Sequence, residues 1–513
     1  MSLVVMTVLV AVTSLAQIQG YVSAFPNAAL RQALLVPFAD NGALRVLYGY
    51  PYDIGDATGW VSWRSMSVVE IVMAVWAMVV VSGALRGEED VGRGELALSR
   101  PQPRRRWFAA ALTATAVEAV VIGAVAVAAM AAVGVPQGLM TFGNCVELGL
   151  QVVLPALLFG AVAALTSQLL GTVRGARLAG AAVLAVAFMV RAVADTGSGI
   201  GWVRWLTPLG WFEQLRPPGV PPAAALLAIL AGTAILVAVC LPVLSGRDIG
   251  RGLLPGHDAR SPRRALLGTA WQAAVRDELP QLGTWLVAAV ACATLMGGLA
   301  RTVIDFVRDN PAIARVLGRG VAVDGYVAAM FSLAQVVAAL LAVALVAAAR
   351  GEEATGRLEI LLAMPRTRVG WLVGRVTLAA AAAALLALVA AGGLWVGAEL
   401  SGERLDVGSL LMAAGNCIPV IVVTAGFAGF VFGVAPRAVA SGYALVVVAY
   451  LWDAVGALFA VPAWTLNLSP FHAVARVPLE PFTAAPAVVL GLLGAALFTV
   501  GLVEFRHRDL VTG

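Results

Sequence analysis

Arg86–Trp107, RGEEDVGRGELALSRPQPRRRW, returns at Arg350–Trp371 as RGEEATGRLEILLAMPRTRVGW. Laid without gaps, Arg86, Gly87, Glu88, Glu89, Gly92, Arg93, Glu95, Leu98, Pro101, Arg104 and Trp107 each meet the same residue type. Both copies follow a long apolar segment and precede another. A polar device duplicated in so apolar a chain sets the unit of the fold, because a repeated sequence implies a repeated structure.

Of 513 residues, 61% are hydrophobic and 12% are charged. Soluble domains carry about 25% charged residues, so the composition is that of a polytopic membrane protein. Every basic residue among the 34 Lys and Arg is Arg, and the net charge is +5. With the abundance of Ala, Val and Gly, this reads as the product of a GC-rich bacterial genome and not as a nucleic-acid binder. The absence of Lys excludes a standard phosphate-binding loop, whose Lys reaches the β- and γ-phosphates. If ATP drives this polypeptide, the ATPase is another chain. Cys145, Cys240, Cys292 and Cys417 lie in or beside apolar segments, and neither they nor the three His have metal-ligand spacing. No metal site and no disulfide framework are expected. Met1 leads straight into apolar residues without a basic region, so the start reads as a first span and not as a cleaved signal.

A membrane span takes roughly 20 mainly apolar residues. Such segments lie near 2–19, 67–85, 108–134, 146–170, 176–196 and 222–244, and again near 281–303, 326–349, 369–398, 409–433, 437–460 and 484–504. The expected fold is all-α, with twelve transmembrane helices in two six-helix halves, 1–245 and 281–513, joined by a cytoplasmic linker and elbow, 246–280. An even number of spans per repeat preserves orientation, so the repeats are parallel, related by an axis along the membrane normal.

Arg is concentrated in the 86–107 and 350–375 loops, at Arg174 and Arg177, in the 247–276 connector and at Arg506 and Arg508. The positive-inside rule then places both copies of the repeat and both termini in the cytoplasm. The loop 301–319, with four Arg, runs against this and is outweighed by the repeated pattern. Within the connector, Leu267–Leu282 reads as an amphipathic elbow lying in the interface. No counterpart is read ahead of the first span: either the first half lacks it or the chain starts further upstream. Before the last span of each half, Trp202-x-x-x-Leu206-Thr207-Pro208 answers Trp464-x-x-x-Leu468-Ser469-Pro470. These predict short interfacial or re-entrant helices, turned sharply by Pro.

Within the duplicated loop, Glu89→Arg93 and Glu353→Arg357 have the favourable i, i+4 order for helical ion pairs. Gly92 and Gly356 leave one face bare, and Pro101 and Pro365 end the element. The expectation is a short cytoplasmic helix, acidic at its start and apolar beyond. A helix lying on a membrane would be basic on its polar face, so an acidic one, present twice, reads as a docking surface for two copies of a cytosolic partner.

R-G-E-E-x-x-G-R-x-E-x-x-L-x-x-P-x-x-R between a second and a third span resembles the coupling-helix loop of ABC-2 type permeases. Two six-helix halves in one chain are similar to the fused permeases of actinobacterial ATP-binding-cassette exporters of the polyketide-antibiotic type. The resemblance implies a type V exporter-like fold and two copies of a separate ATPase, with ATP and Mg on that partner and no cofactor on this chain. It implies that Glu88, Glu89, Gly92, Arg93 and Glu95, with Glu352, Glu353, Gly356, Arg357 and Glu359, form the two docking sites. It also implies export of a hydrophobic or amphiphilic cargo (drug, antibiotic or lipid) from the bacterial plasma membrane. The absence of a first elbow departs from the family pattern.

Ionisable residues within spans cost about 2.5–3.5 kcal/mol each on insertion scales and so face a cavity or a partner. Aligning Trp202 with Trp464 brings Arg191 and Asp453 to equivalent positions. They are expected to pair near a central pathway, with Asp195 as a competing partner for Arg191 and snorkelling to the interface as the plain alternative. Glu70 and Glu118 are carboxylates of the second and third spans, read as packing hydrogen bonders or as a proton relay. Two further functions stay open. A proton-coupled secondary drug transporter would leave the duplicated loop unexplained, and Glu70 and Glu118 have no matching pair in the second half. A polyprenol-dependent glycosyltransferase would use Asp40, Asp53 or Asp56 of the first external loop. The chain is read as a transport subunit and not as an enzyme.

Overall fold

The structure, a computed structural model, describes residues 2–24, 42–90, 104–196, 199–215, 223–246, 248, 252–254, 270–309, 321–363, 367–456 and 462–511. Among these residues all regular structure is helical, and eleven helices are long and apolar enough to cross a membrane. The chain is an all-α polytopic membrane protein. It divides into two units, Met1–Ser261 and Pro262–Gly513, at a point inside the 246–280 connector.

In the first unit the six long helices are Ser2–Ala24, Ala57–Asp90, Arg104–Gly134, Phe142–Leu169, Val173–Thr196 and Ala223–Gly246. The fourth is the most enclosed and the sixth the least. The fourth packs against the second, third, fifth and sixth, and the first packs against the third. Thr141 caps the fourth helix reciprocally: its Oγ1 accepts the Asn144 N–H at 3.2 Å while the Asn144 side chain accepts the Thr141 N–H at 2.9 Å.

The second helix begins ten residues before the predicted start at 67. Asp56 caps it by accepting the Gly59 N–H at 2.6 Å. Its first turns bury Trp60, Trp63 and Met66, and the buried Ser62 hydroxyl donates to Gln151 at 2.9 Å. Arg64, the charge that obscures this start in the sequence, stands 5.5 Å from the rings of Tyr48 and Trp60. Wider π-type turns occupy Ser62–Met66 and Gly83–Gly87.

The second unit repeats this scheme with Ala270–Asp309, Val321–Ala354, Arg368–Ser401, a fourth helix split into Val407–Gly415 and Ile418–Val434, then Ser441–Gly456 and Ala484–His507. First packs on third, second on fourth and sixth on fourth, as in the first unit, and the fourth is again the most enclosed. The segment read as a span near 437–460 is described as a helix over Ser441–Gly456, 16 residues, with 457–460 outside the described residues, and it is not among the eleven long helices. One expectation needs correction. The elbow is not a separate surface helix: Ala270–Asp309 runs 40 residues without interruption through Pro280. The reason is Glu278, 8% exposed, whose carboxylate turns into the unit to meet Arg375.

The [ST]-P elements match their expected form. Thr207 and Ser469 are N-caps, with Pro208 and Pro470 in the first turn of short helices Pro208–Gln214 and Pro470–Ala473. The Thr207 hydroxyl accepts the Gly210 N–H at 3.1 Å. Thr207→Ala is expected to cost about 1 kcal/mol. In a unit of this size that lowers the thermal midpoint by roughly 2–4 °C, measurable on the purified chain in detergent.

Candidate functional site

The duplicated loop is described most fully in the second unit. The Val321–Ala354 helix carries Arg350, Glu352 and Glu353 on its last turn and is followed at Gly356 by a left-handed residue, φ 72°. A Gly tolerates that conformation at a helix C-terminus and closes the last turn; here the Gly356 N–H donates to the Glu353 carbonyl at 3.1 Å. A new six-residue helix, Arg357–Leu362, then begins. The i, i+4 pair expected between Glu353 and Arg357 is therefore not formed, because the left-handed Gly stands between the two and breaks the helical spacing. Arg357 instead pairs with Asp277 at 2.9 Å on the surface.

The two acids point into the protein. Glu353 is 1% exposed and accepts from both terminal nitrogens of Arg508 at 2.5 and 3.0 Å and from the Val511 N–H at 2.8 Å, with Arg350 at 3.8 Å. Glu352 accepts from Arg375, which also reaches Glu278 at 3.0 Å. Arg508 lies over the rings of Phe432 and Phe505, and Arg375 over Trp371, at 5.1–5.9 Å. Trp371, Phe432 and Phe505 form one aromatic cluster with centroids 5.5–5.9 Å apart. The first acids and the closing Trp of the repeat thus meet at one place. Leu358 is buried; Glu359 and Ile360 face outward, Ile360 at 70% exposure.

In the first copy Glu88 and Glu89 are described, while Gly92, Arg93 and Glu95 lie outside the described residues. Arg86 is fully buried, pairs with Glu89 at 2.8 Å and Asp90 at 3.5 Å, and donates to the Gly171 carbonyl at 2.5 Å. Asp90 accepts the Val173 N–H at 2.8 Å. The contact shared by both copies is therefore Arg-x-x-Glu: Arg86 with Glu89 and Arg350 with Glu353. That i, i+3 spacing is readable in the sequence. Arg375, Arg508 and Glu278 gave no comparable signal, since their partners lie 23, 155 and 97 residues away.

At the other end of the first unit, Arg191 stands 3.8 Å from Asp195 and donates to the Val46 carbonyl at 2.8 Å. Asp195 also accepts from Arg204 at 2.5 Å, and Arg204 approaches Glu213 at 3.9 Å. Glu213 accepts the Tyr50 N–H at 2.6 Å, so the network ties the loop after the first helix to the fifth helix and to the Thr207–Pro208 element. Within this loop, burial and the Glu213 charge raise the Tyr52 phenol above its ordinary range. Asp453 accepts a hydrogen bond from, or donates one to, His472 Nδ1 at 2.6 Å, so each of the two equivalent positions has a partner in its own unit. Glu70 is buried in the second helix and Glu118 is half-buried in the third. Asp56 serves as a helix cap, Asp53 lies just before it with φ 42°, and Asp40 is outside the described residues. All four cysteines are free thiols, and no cluster fit to hold a metal occurs among the described residues.

Comparison with known proteins follows the same two blocks. Residues 38–243 and 267–506 match the family model described as Multidrug efflux system permease Rv1217c, C-terminal domain. Over 493 residues the chain is 30% identical to the multidrug efflux system permease protein Rv1217c of Mycobacterium tuberculosis, which takes in 95% of this chain and 88% of that relative.

Proposed function

The chain belongs to the family of that mycobacterial permease, and from this premise we propose that it is the transmembrane subunit of an ABC-2 type ATP-binding-cassette exporter. It works in the bacterial plasma membrane with both termini in the cytoplasm, and moves hydrophobic or amphiphilic compounds outward. Two copies of a separate ATPase, carrying ATP and Mg, dock on the two copies of the duplicated loop. The observation that supports this reading best is the division of labour inside the second copy. Its acids anchor the loop to Arg375 and Arg508, while Glu359 and Ile360 remain exposed on a short helix beyond the Gly356 break. A rigidly held helix bearing an acid and an exposed Ile is suited to a protein groove. Movement of that helix is transmitted through Glu352–Arg375–Glu278 to the Ala270–Asp309 helix and through Glu353–Arg508 to the last helix.

The test is co-purification with a candidate ATPase, sought first among the genes beside this one. Wild type is expected to retain two ATPase copies. A variant with Glu359→Arg and Ile360→Asp, combined with Glu95→Arg and Leu96→Asp at the matching positions of the first copy, is expected to retain none. Efflux driven by a proton gradient, with no ATPase bound to either form, would replace this reading with a secondary transporter.

A further inference from the structure

The second unit carries an open cavity of about 410 Å3 bounded by the Val321–Ala354 helix, the break in the fourth helix, the Ser441–Gly456 helix and the segment after Ser469. Small-molecule sites span about 300–1,000 Å3 and combine apolar walls with a few placed polar groups. Phe331, Tyr450 and Phe471 supply the aromatic wall, Tyr450 and Phe471 meeting edge-on at 5.9 Å. Gln335 and Asn416, both nearly buried, turn their amide N–H groups toward the carbonyls of Asn416 and Ala475 at 3.4 and 2.7 Å. Each amide keeps its side-chain oxygen as an acceptor, beside its second N–H, to act on a ligand.

Among the described residues one carboxylate lines this space, that of Asp453, with 17% of its side chain exposed. His472 engages its Oδ1 at 2.6 Å, which fixes the carboxylate and leaves Oδ2 to a ligand. Arg476, the only cation on the wall among the described residues, is exposed, whereas the acid is set back. A recessed acid, amide acceptors and aromatic faces recognise positive charge.

The break in the fourth helix helps to shape the site. Pro419 has no N–H to close the preceding turn, so the helix is interrupted by one tighter turn at Asn416 and Cys417, both still right-handed in φ and ψ, where it borders the cavity. The first unit differs: its fourth helix is continuous, and the position equivalent to Asp453 is Arg191, closed onto Asp195 and Val46.

We propose that this cavity binds an amphiphilic organic cation, with the positive nitrogen against Asp453 and the apolar body along Phe331, Tyr450 and Phe471. Calling that ligand cargo rests on the exporter reading; the binding itself does not. The test therefore uses the full chain alone in lipid nanodiscs, without an ATPase, and measures binding of radiolabelled biphenyl-4-yltrimethylammonium against its uncharged isostere 4-tert-butylbiphenyl. Wild type is expected to prefer the cation by roughly tenfold. Asp453→Asn is expected to abolish that preference while leaving the isostere's binding unchanged, which also reports that the variant is folded. Ala329→Trp, placed on the cavity wall, is expected to abolish binding of both. Equal binding of the two probes to wild type, a preference that survives Asp453→Asn, absence of binding, or tighter binding of biphenyl-4-sulfonate would each overturn the assignment. None of these outcomes bears on ATPase docking, which co-purification decides separately.

Discussion

Glu353→Ala is expected to destabilise the second unit by about 3–5 kcal/mol, the range for breaking a buried ion pair from one side. The Glu353 side chain is wholly shielded, and its partners Arg508 and Arg350 are 14% and 15% exposed. Truncation leaves two like charges facing a void and orphans the Val511 N–H, which has Glu353 as its acceptor. The comparison that isolates the effect is Glu359→Ala, three residues into the next helix and exposed, which is expected to stay within about 0.5 kcal/mol. Replacing both members, as Glu353→Met with Arg508→Met, is expected to recover part of the loss, since removing a buried pair entirely is often close to neutral. Unfolding of the purified chain in detergent checks all three. A Glu353→Ala variant as stable as Glu359→Ala would mean that the repeat's acids are solvated surface charges after all.

That contrast marks where the sequence stops being readable. The duplication, the six-helix unit and the Thr207–Pro208 and Ser469–Pro470 caps follow from local rules: apolar length, spacing and cap chemistry. Each can be read within a window of one helix. The direction in which Glu352 and Glu353 point cannot. It depends on Arg375 in the next helix and Arg508 at the end of the last one, and neither has a fixed sequence spacing from the acids. Gly356 was legible as a bare position but not as a left-handed break, which is set by where the long helix must end. The helix start at Ala57 was hidden by Arg64, whose charge is accommodated on aromatic faces that come together only in the fold. The cavity beside Asp453 lay still further out of reach. Asp453 stood out as an intramembrane charge, but Gln335, Asn416 and Phe471 reach it only through packing of four elements. In each case the missing information is a contact between distant segments, and the candidate site is made largely of such contacts.

Gly433→Val is expected to be at least as damaging as loss of Glu353, because the atoms in its way are backbone. The Ile418–Val434 and Ala484–His507 helices touch through Gly426 and Gly433 on one side and Gly494 and Gly501 on the other. A Cβ built on Gly433 would lie 2.0 Å from the Gly501 carbonyl oxygen, and one on Gly426 would lie 2.2 Å from that of Gly494. The reverse contacts are as tight: a Cβ on Gly501 would lie 2.4 Å from the Phe430 Cα. No side chain can rotate to relieve these clashes, so the helices must separate, at a cost above the about 1–3 kcal/mol typical of overpacking that side chains can relieve. In lipid, helix association relies on such close approach, because no hydrophobic gain replaces it. The damage also spreads to the duplicated loop. Arg508 donates to the carbonyls of Gly433 and Phe432 at 2.8 and 3.2 Å while it holds Glu353, so parting the helices withdraws the guanidinium from the acid. Gly433→Val and Glu353→Ala are therefore expected to be non-additive, the double variant losing less than the sum of the two single ones. Gly491→Ala, on the same last helix with nothing within 4 Å of its would-be Cβ, is the control expected to leave the midpoint unchanged or slightly raised. Thermal unfolding and the yield of monodisperse protein read both effects. A Gly433→Val chain with the wild-type midpoint would show that the two helices part at no cost, and strict additivity with Glu353→Ala would show that Arg508 does not link the helix pair to the loop.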